Sequence, residues 1–264
     1  MSQVSTWQLV TRQWDYWKTV YLRTFRGSFA SNFFSPLFNV VALGVMLGGF
    51  VKADPATLSG APSYLAFVVP GLLASTAMMT AFEEASYPVV GALKWERSYF
   101  AMQATPLTPV AILWGHLLYI TARLVMVSVV FVAVMVPFGV FATWWSPIAA
   151  IGASTLIGLT FTTPMYAFSV HVGTETWFNL FWRLGVMPLF LFSGAFFPIT
   201  NLSPSIRWLA QVLPLSHGVD LTRMLALNHV DLGTLAAQVT YLVVVSALGY
   251  VLSVRALTRR LASG

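Results

Sequence analysis

Side chains able to do acid–base, nucleophilic or metal chemistry are few in this sequence, and their spacing supports none of it. The four histidines (His116, His171, His217 and His229) form no HExxH pair or other metal-ligand pattern, and there is no cysteine. Zinc ribbons, Fe–S sites, disulfides and thiol catalysis are thereby excluded. No GxSxG nucleophile elbow occurs. A phosphate-binding loop needs Gly-Lys followed by Ser or Thr, so that backbone amides and an ammonium cradle the phosphates. Lys18, Lys52 and Lys94 instead follow Trp17, Val51 and Leu93. The chain is therefore not expected to be an enzyme or to carry a metal or cofactor of its own. Any work it does must draw energy from a partner.

These residues sit in a chain suited to lipid. Of 264 residues, 58% are hydrophobic and 8% charged, against roughly 25% charged in soluble domains. So little charge cannot cover a water-facing surface, and much of the surface must face hydrocarbon. The net charge of +6 is spread too thinly for the clustered basic face that nucleic acid requires. Six apolar stretches reach the ~20 residues of a spanning helix: near 31–51, 63–82, 110–136, 146–170, 178–197 and 234–254. They are continuous rather than alternating, which argues against membrane strands. The expected fold is all-α, one polytopic domain over 1–264 with six transmembrane helices.

Charge placement orients this domain. Arg12, Lys18, Arg23, Arg26, Lys94, Arg97, Arg255, Arg259 and Arg260 fall on the side of the termini, and only Lys52, Arg207 and Arg223 on the other. The positive-inside rule places both termini in the cytoplasm. The first apolar run is too long for the ~7–15-residue core of a cleavable signal peptide, so none is expected. Asp15, Asp54, Glu83, Glu84, Glu96, Glu175, Asp220 and Asp231 all lie outside the proposed spans. Ion-coupled carriers usually hold the coupling ion on an intramembrane carboxylate, and that class is disfavoured. So is a stand-alone membrane enzyme acting on lipid.

Around the spans, residues 4–26 predict an amphipathic helix, with Trp7, Val10, Trp14, Trp17 and Tyr21 on one face and Arg12, Arg23 and Arg26 on the other. Such a helix suits the cytoplasmic membrane interface; the alternative is packing on the protein's own cytoplasmic side. The connection from Glu83 to Pro109 concentrates Glu83, Glu84, Lys94, Glu96 and Arg97, with a short helix expected over 89–104. Two short helices, from Ser203-Pro204 to Pro214 and over 219–227, are placed to dip back into the outer leaflet. Arg123 lies inside the third span and must face a partner helix, a second copy or an aqueous path, unless it snorkels or the span starts lower. Arg183 reads as an interfacial anchor. Gly44 and Gly48 form a small-xxx-small face for close helix packing, within one subunit or between two. Phe190, Phe192, Phe196 and Phe197 crowd the end of the fifth span, as core or lipid contacts or as an apolar substrate lining.

Together these features resemble the membrane subunit of ABC-2 type exporters, most of all the permeases of lipo-oligosaccharide (nodulation-factor) export and daunorubicin-type drug efflux. The resemblance is carried by Ser63-Tyr64-Leu65-Ala66-Phe67-Val68-Val69-Pro70-Gly71-Leu72, Phe82-Glu83, Trp95-Glu96 and Ala104-Thr105-Pro106-Leu107. Further along come Leu191-Phe192-Ser193-Gly194-Ala195-Phe196-Phe197-Pro198 and the tract from Leu213-Pro214-Leu215-Ser216-His217 to Thr222-Arg223. It implies a permease in the bacterial inner membrane, paired with a second copy and with two separate ATPase subunits that bind ATP and Mg. The substrate would be an amphiphile, a lipo-oligosaccharide or other glycolipid, with drug efflux as the alternative. It also implies an interfacial N-terminal helix, a coupling helix and short outer helices. Glu83, Glu84, Lys94, Trp95, Glu96 and Arg97 then become the candidates for ATPase coupling. Candidates for the substrate path are Met78, Met79, Arg123, Phe190, Phe192, Phe196 and Phe197.

Overall fold

A computed structural model describes residues 6–39, 41, 42, 46, 58, 60–172 and 176–263, with backbone alone for 6–9, 24–33, 35, 36 and 39. Among them every regular element is helical. Helix α2 (Tyr64–Ala85) lies at the centre, packed by α5 (Pro109–Met135), α6 (Ser146–His171) and α10 (Pro214–Ala226). Helix α11 (Leu232–Ala262) packs along α6, and α1 (Thr6–Asn39) along α5. Four runs are long and apolar enough to cross a membrane: Tyr64–Trp95, Pro109–Phe138, Ser146–His171 and Leu232–Ala262. They correspond to the expected second, third, fourth and sixth spans.

Helix starts follow from capping chemistry. Ser63 accepts from the Ala66 N–H at 3.1 Å, and Thr108 accepts from Ala111 at 3.2 Å ahead of Pro109. Each satisfies an amide that the first turn leaves without a partner. Asp231 caps α11 through the Thr234 hydroxyl and N–H, which hold its carboxyl below the usual range. That cap contributes fully above the unfolded-state pKa and is lost as pH falls through the depressed folded value.

Several expectations are corrected. Among the described residues the fifth expected span is not one of the runs long and apolar enough to cross a membrane. It comprises α7 (Thr176–Phe181), a π-helical turn (Trp182–Val186) and α8 (Met187–Phe192), and it ends at a turn with Gly194 at φ 84°. Residues 193–195 are apolar or small because the turn is buried, not because it spans. The N-terminal helix does not stop near 26; α1 runs unbroken to Asn39 and takes in the start of the first expected span. Most of the remainder of that span, Gly44 and Gly48 included, lies outside the described residues. One face of α1 packs on α5: Val10 and Trp17 are buried, and Gln13 fills the notch over Gly115. The 89–104 helix is broken into α3 (Tyr87–Val90), a π-helical turn (Gly91–Trp95) and α4 (Ser98–Gln103), with Arg97 left-handed at φ 52°. At the opposite end, α9 (Pro204–Val212) is followed by α10, which begins at Pro214, earlier than expected, and is packed into the bundle.

Helices α6 and α11 are joined by small and hydroxylated residues, as membrane helices are when no hydrophobic gain distinguishes protein from lipid. The Ser253 hydroxyl donates to the Thr163 carbonyl at 2.6 Å, and the Thr163 hydroxyl to the Ser246 carbonyl at 3.0 Å. Between them Gly249 lies so close to Pro164 that a Cβ would come within 2.7 Å of its ring nitrogen and within 2.5 Å of Thr163 Oγ1. Gly249→Ala is therefore expected to cost about 1–3 kcal/mol through overpacking, lowering the thermal midpoint in detergent. Gly152→Ala, where nothing stands within 4 Å, should leave the midpoint unchanged or raise it.

Candidate functional site

The charge-rich connection forms a tip projecting from one end of the bundle. Trp95, Glu96 and Arg97 are exposed there and Lys94 is half-buried. Gly91 lies under the Trp95 ring, and a Cβ on it would sit 3.3 Å from that ring. Arg97 takes the left-handed conformation that reverses the chain into α4, and its guanidinium stands 5.2 Å from the centre of the Phe100 ring.

Glu83 and Glu84 belong to the last turn of α2 and not to the connection, so acids do enter a spanning helix. Glu84 turns inward and accepts from Arg123 Nε at 2.8 Å, with both side chains nearly buried. The same guanidinium lies 4.7 Å from the centre of the Tyr21 ring. Arg123 thus faces partner helices of its own chain, bracing α1, α2 and α5. An intramembrane cation is tolerable on these terms because the carboxylate and the ring replace its hydration. Glu83, one residue earlier, is exposed.

Above the tip, a buried polar chain ties α4 to the spans. Tyr166 donates to the Tyr99 hydroxyl at 3.0 Å, and Tyr99 Oη stands 2.6 Å from His116 Nδ1. With Tyr99 donating, the neutral imidazole carries its proton on Nε2. Trp17 of α1 stacks on the same imidazole at 3.9 Å, nearly parallel. Tyr99 is completely buried, and through it α4 is bonded to α5 and α6. Sequence reading missed this network; its only signal was a histidine and two tyrosines in apolar surroundings.

The opposite end is closed by Arg223, which sequence reading placed among the charges opposite the termini and at the end of a family tract but gave no structural role. Its Nη2 donates to the Gly194 carbonyl at 2.9 Å and its Nε to the Phe67 carbonyl at 3.3 Å. Asp220 lies 3.6 Å away, and the guanidinium stacks 3.9 Å from the Phe67 ring centre. Thr222 donates to the Pro70 carbonyl at 3.0 Å, and Tyr64 to that of Phe196 at 3.2 Å. Ala195 packs onto Gly71, where a Cβ would come within 2.6 Å of its Cα. Residues 63–72, 191–198 and 213–223, separate in sequence, therefore meet at one joint.

The path candidates do not share a surface. Met78 is buried in the wall of a cavity of about 180 Å³ between α2, α6 and the helix over 176–192. Met79 is half-buried and packs against the main core. Phe190 and Phe196 meet edge to face at 4.8 Å, Phe197 is half-buried and Phe192 points outward. Arg123 is occupied by Glu84 and Tyr21. Trp14 and Tyr21 are half-buried against the core on the α1 side; the side chain of Trp7 lies outside the described ones. Arg183 is exposed. Among the described residues no three His, Asp or Glu stand together as a metal site.

A family model described as ABC-2 type transporter matches residues 5–227. Nodulation protein J of Sinorhizobium fredii is 26% identical over 260 residues, covering 98% of this chain and 94% of that protein. Nodulation protein J of Bradyrhizobium diazoefficiens is 29% identical over 245 residues, with 93% and 89% covered. The protein of the same name from Rhizobium leguminosarum bv. trifolii is 28% identical over 229 residues, with 87% and 82% covered.

Removing one partner of a nearly buried ion pair leaves the other charged and unsolvated. Arg123→Ala is therefore expected to cost about 3–5 kcal/mol, read as a fall in the thermal midpoint. Replacing both Glu84 and Arg123 by Met should recover most of that loss, because no buried charge remains. Arg223→Lys keeps the charge but cannot serve two carbonyls with one planar fork. A loss of about 2 kcal/mol is expected there. An unchanged midpoint would show that the joint does not depend on the guanidinium.

Proposed function

The chain belongs to the ABC-2 type transporter family, and on that premise we propose that it is the membrane-spanning permease subunit of an ATP-driven exporter. Its substrate is an amphiphile, a lipo-oligosaccharide or another glycolipid, moved outward from the cytoplasm or the inner leaflet of a bacterial inner membrane. Two copies act with two copies of an ABC ATPase, which supply ATP, Mg and hydrolysis. Both termini and the tip face the cytoplasm.

The observation that carries this reading is the tip itself. Trp95, Glu96 and Arg97 are exposed on an apex whose root, Tyr99, is bonded into α5 and α6. A surface that is charged, aromatic and rigidly mounted suits a partner that must push on it. When the ATPases close on ATP, displacement of α4 passes through Tyr99 and His116 into the spans. The Arg123–Glu84 pair keeps α2 and α5 moving together, and the path opens between the two copies. Export of hydrophobic drugs is the second reading. It is favoured by the cavity at Met78, whose wall is aromatic and aliphatic with no charged residue.

The test is reconstitution. The protein purified with its ATPase should move a fluorescent glycolipid in vesicles only when ATP is present. Substituting Ala at Glu96 and Arg97 together should lower substrate-stimulated ATPase activity about tenfold, equivalent to ~1.4 kcal/mol of lost coupling, with the complex still assembled. Undiminished stimulation would remove the tip from the coupling role, and transport without ATP would remove the exporter reading.

A further inference from the structure

The cavity at Met78 has the build of a binding site rather than a packing defect. It lies between α2, α6 and the helix over 176–192, in the half of the bundle nearer the tip. Its wall includes Met78, Phe161, Met165, Phe168, Val186 and Leu189. An apolar void of ~150 Å³ stays dry and takes up a benzene molecule; at about 180 Å³ this one holds roughly the same number of carbons. Methionine in the wall lets it adapt to chains of different shape. On one side the wall is the π-helical turn over Trp182–Val186, where Met187 N–H reaches back to the Trp182 carbonyl and Pro188 follows. Such widened turns recur at functional sites.

Phe82 belongs to this cavity and also to a second, wider pocket toward the tip, whose lining includes Glu83, Ser86, Asn179 and Trp182. The Phe82 ring lies parallel to that of Phe181 with centroids 5.9 Å apart, and 5.0 Å from that of Trp182. The apolar slot and the mouth, which bears a carboxylate, a hydroxyl and an amide, thus adjoin at the Phe82 ring that lines both. A larger opening of about 530 Å³ between α5, α6 and α11 is a different feature. It borders the outward apolar face of α11, where Val243, Val244 and Leu248 are exposed.

We propose that the slot binds the end of a single alkyl chain, and that the mouth at Glu83 receives the chain's hydroxylated, non-anionic headgroup. The ligand class is an alkyl glycoside or similar neutral amphiphile. Glu83 accepts from hydroxyls and repels phosphate or carboxylate, so anionic lipid of the same chain length binds less well. This assignment deepens the exporter reading and rests on it for the ligand's fate, although binding itself requires no ATP. The slot then takes the hydrophobic end of the substrate while its polar end stays beside the tip.

The experiment uses full-length protein in phosphatidylcholine nanodiscs and a dodecyl glucoside carrying a terminal diazirine. Irradiation without ATP should place adducts on the peptides around Met78, Met165 and Leu189. Leu189→Trp, which fills the slot from its half-buried side, should reduce labelling at least fivefold with the elution profile unchanged. Met165→Phe serves as an independent filling variant and should do the same. Unlabelled octyl glucoside should compete about tenfold better than dodecyl phosphate, and Glu83→Gln should narrow that difference. Adducts spread evenly along α11 and α2 would overturn the slot, as would labelling indifferent to both filling variants. Equal competition by the anionic amphiphile would overturn the role of Glu83. Slot labelling in a protein that associates with no ATPase supports the site and defeats the exporter reading. Absent labelling in a complex that transports with ATP does the reverse.

Discussion

In hydrocarbon a backbone carbonyl without a donor costs several kcal/mol, and this chain repeatedly departs from regular helix where water is excluded. At several places a side chain from another helix reaches a backbone carbonyl. Thr222 and Arg223 reach the Pro70 and Phe67 carbonyls of α2, and Arg223 also takes the Gly194 carbonyl of the turn after α8. Ser253 serves Thr163 beside Pro164, and Ser169 serves Ala85 at the end of α2 at 2.7 Å. These bonds link helices as much as they satisfy them. Several of these ties fall beside the prolines inside α2 and α6, Pro70 and Pro164, so the bundle is tied where individual helices are weakest.

The scarcity of charge acquires meaning through the same constraint. Among the described cations Arg223 is buried and Arg123 nearly so, and each has an acid and an aromatic ring beside it: Arg123 with Glu84 and Tyr21, Arg223 with Asp220 and Phe67. One stands near the tip and the other at the far end. The bundle is braced by a cation at both ends of α2, and the exposed charges of the tip remain available to a partner. A sparse charge set divides in this way between holding the fold and presenting a surface.

Much of this was legible in the sequence. Apolar run length located α2, α5, α6 and α11, and Ser203-Pro204 marked a helix start close to where it occurs. The exposed apex at Trp95–Arg97 lies within the charge cluster that singled it out. The rest was hidden for identifiable reasons. Hydropathy cannot separate a continuous helix from short helices and a buried turn, so the run through Phe197 read as one span. An aromatic helical face suits a lipid interface and a neighbouring helix equally, and the Gly115 notch that decides for α5 lies far from α1 in sequence. Arg223 and the Tyr99–His116–Tyr166 chain depend on contacts across as many as 156 positions, which no local spacing encodes.

The helical run from Tyr64 to Trp95 bends at Ser86, where φ is -98° and ψ -95°, two residues past the Glu84 clamp, and this has a mechanical consequence. From the clamp, α2 alone reaches about 30 Å to Tyr64 at 1.5 Å per residue, while the stretch toward the apex leaves at the bend. A thrust at the apex therefore loads the bend and the Arg123–Glu84 pair beside it before any of it is felt along α2. The far end of α2 is where Tyr64 and Phe67 hold the turn after α8. The clamp decides how much of a push at the apex reaches that distant joint, because it stands between the bend and the long arm.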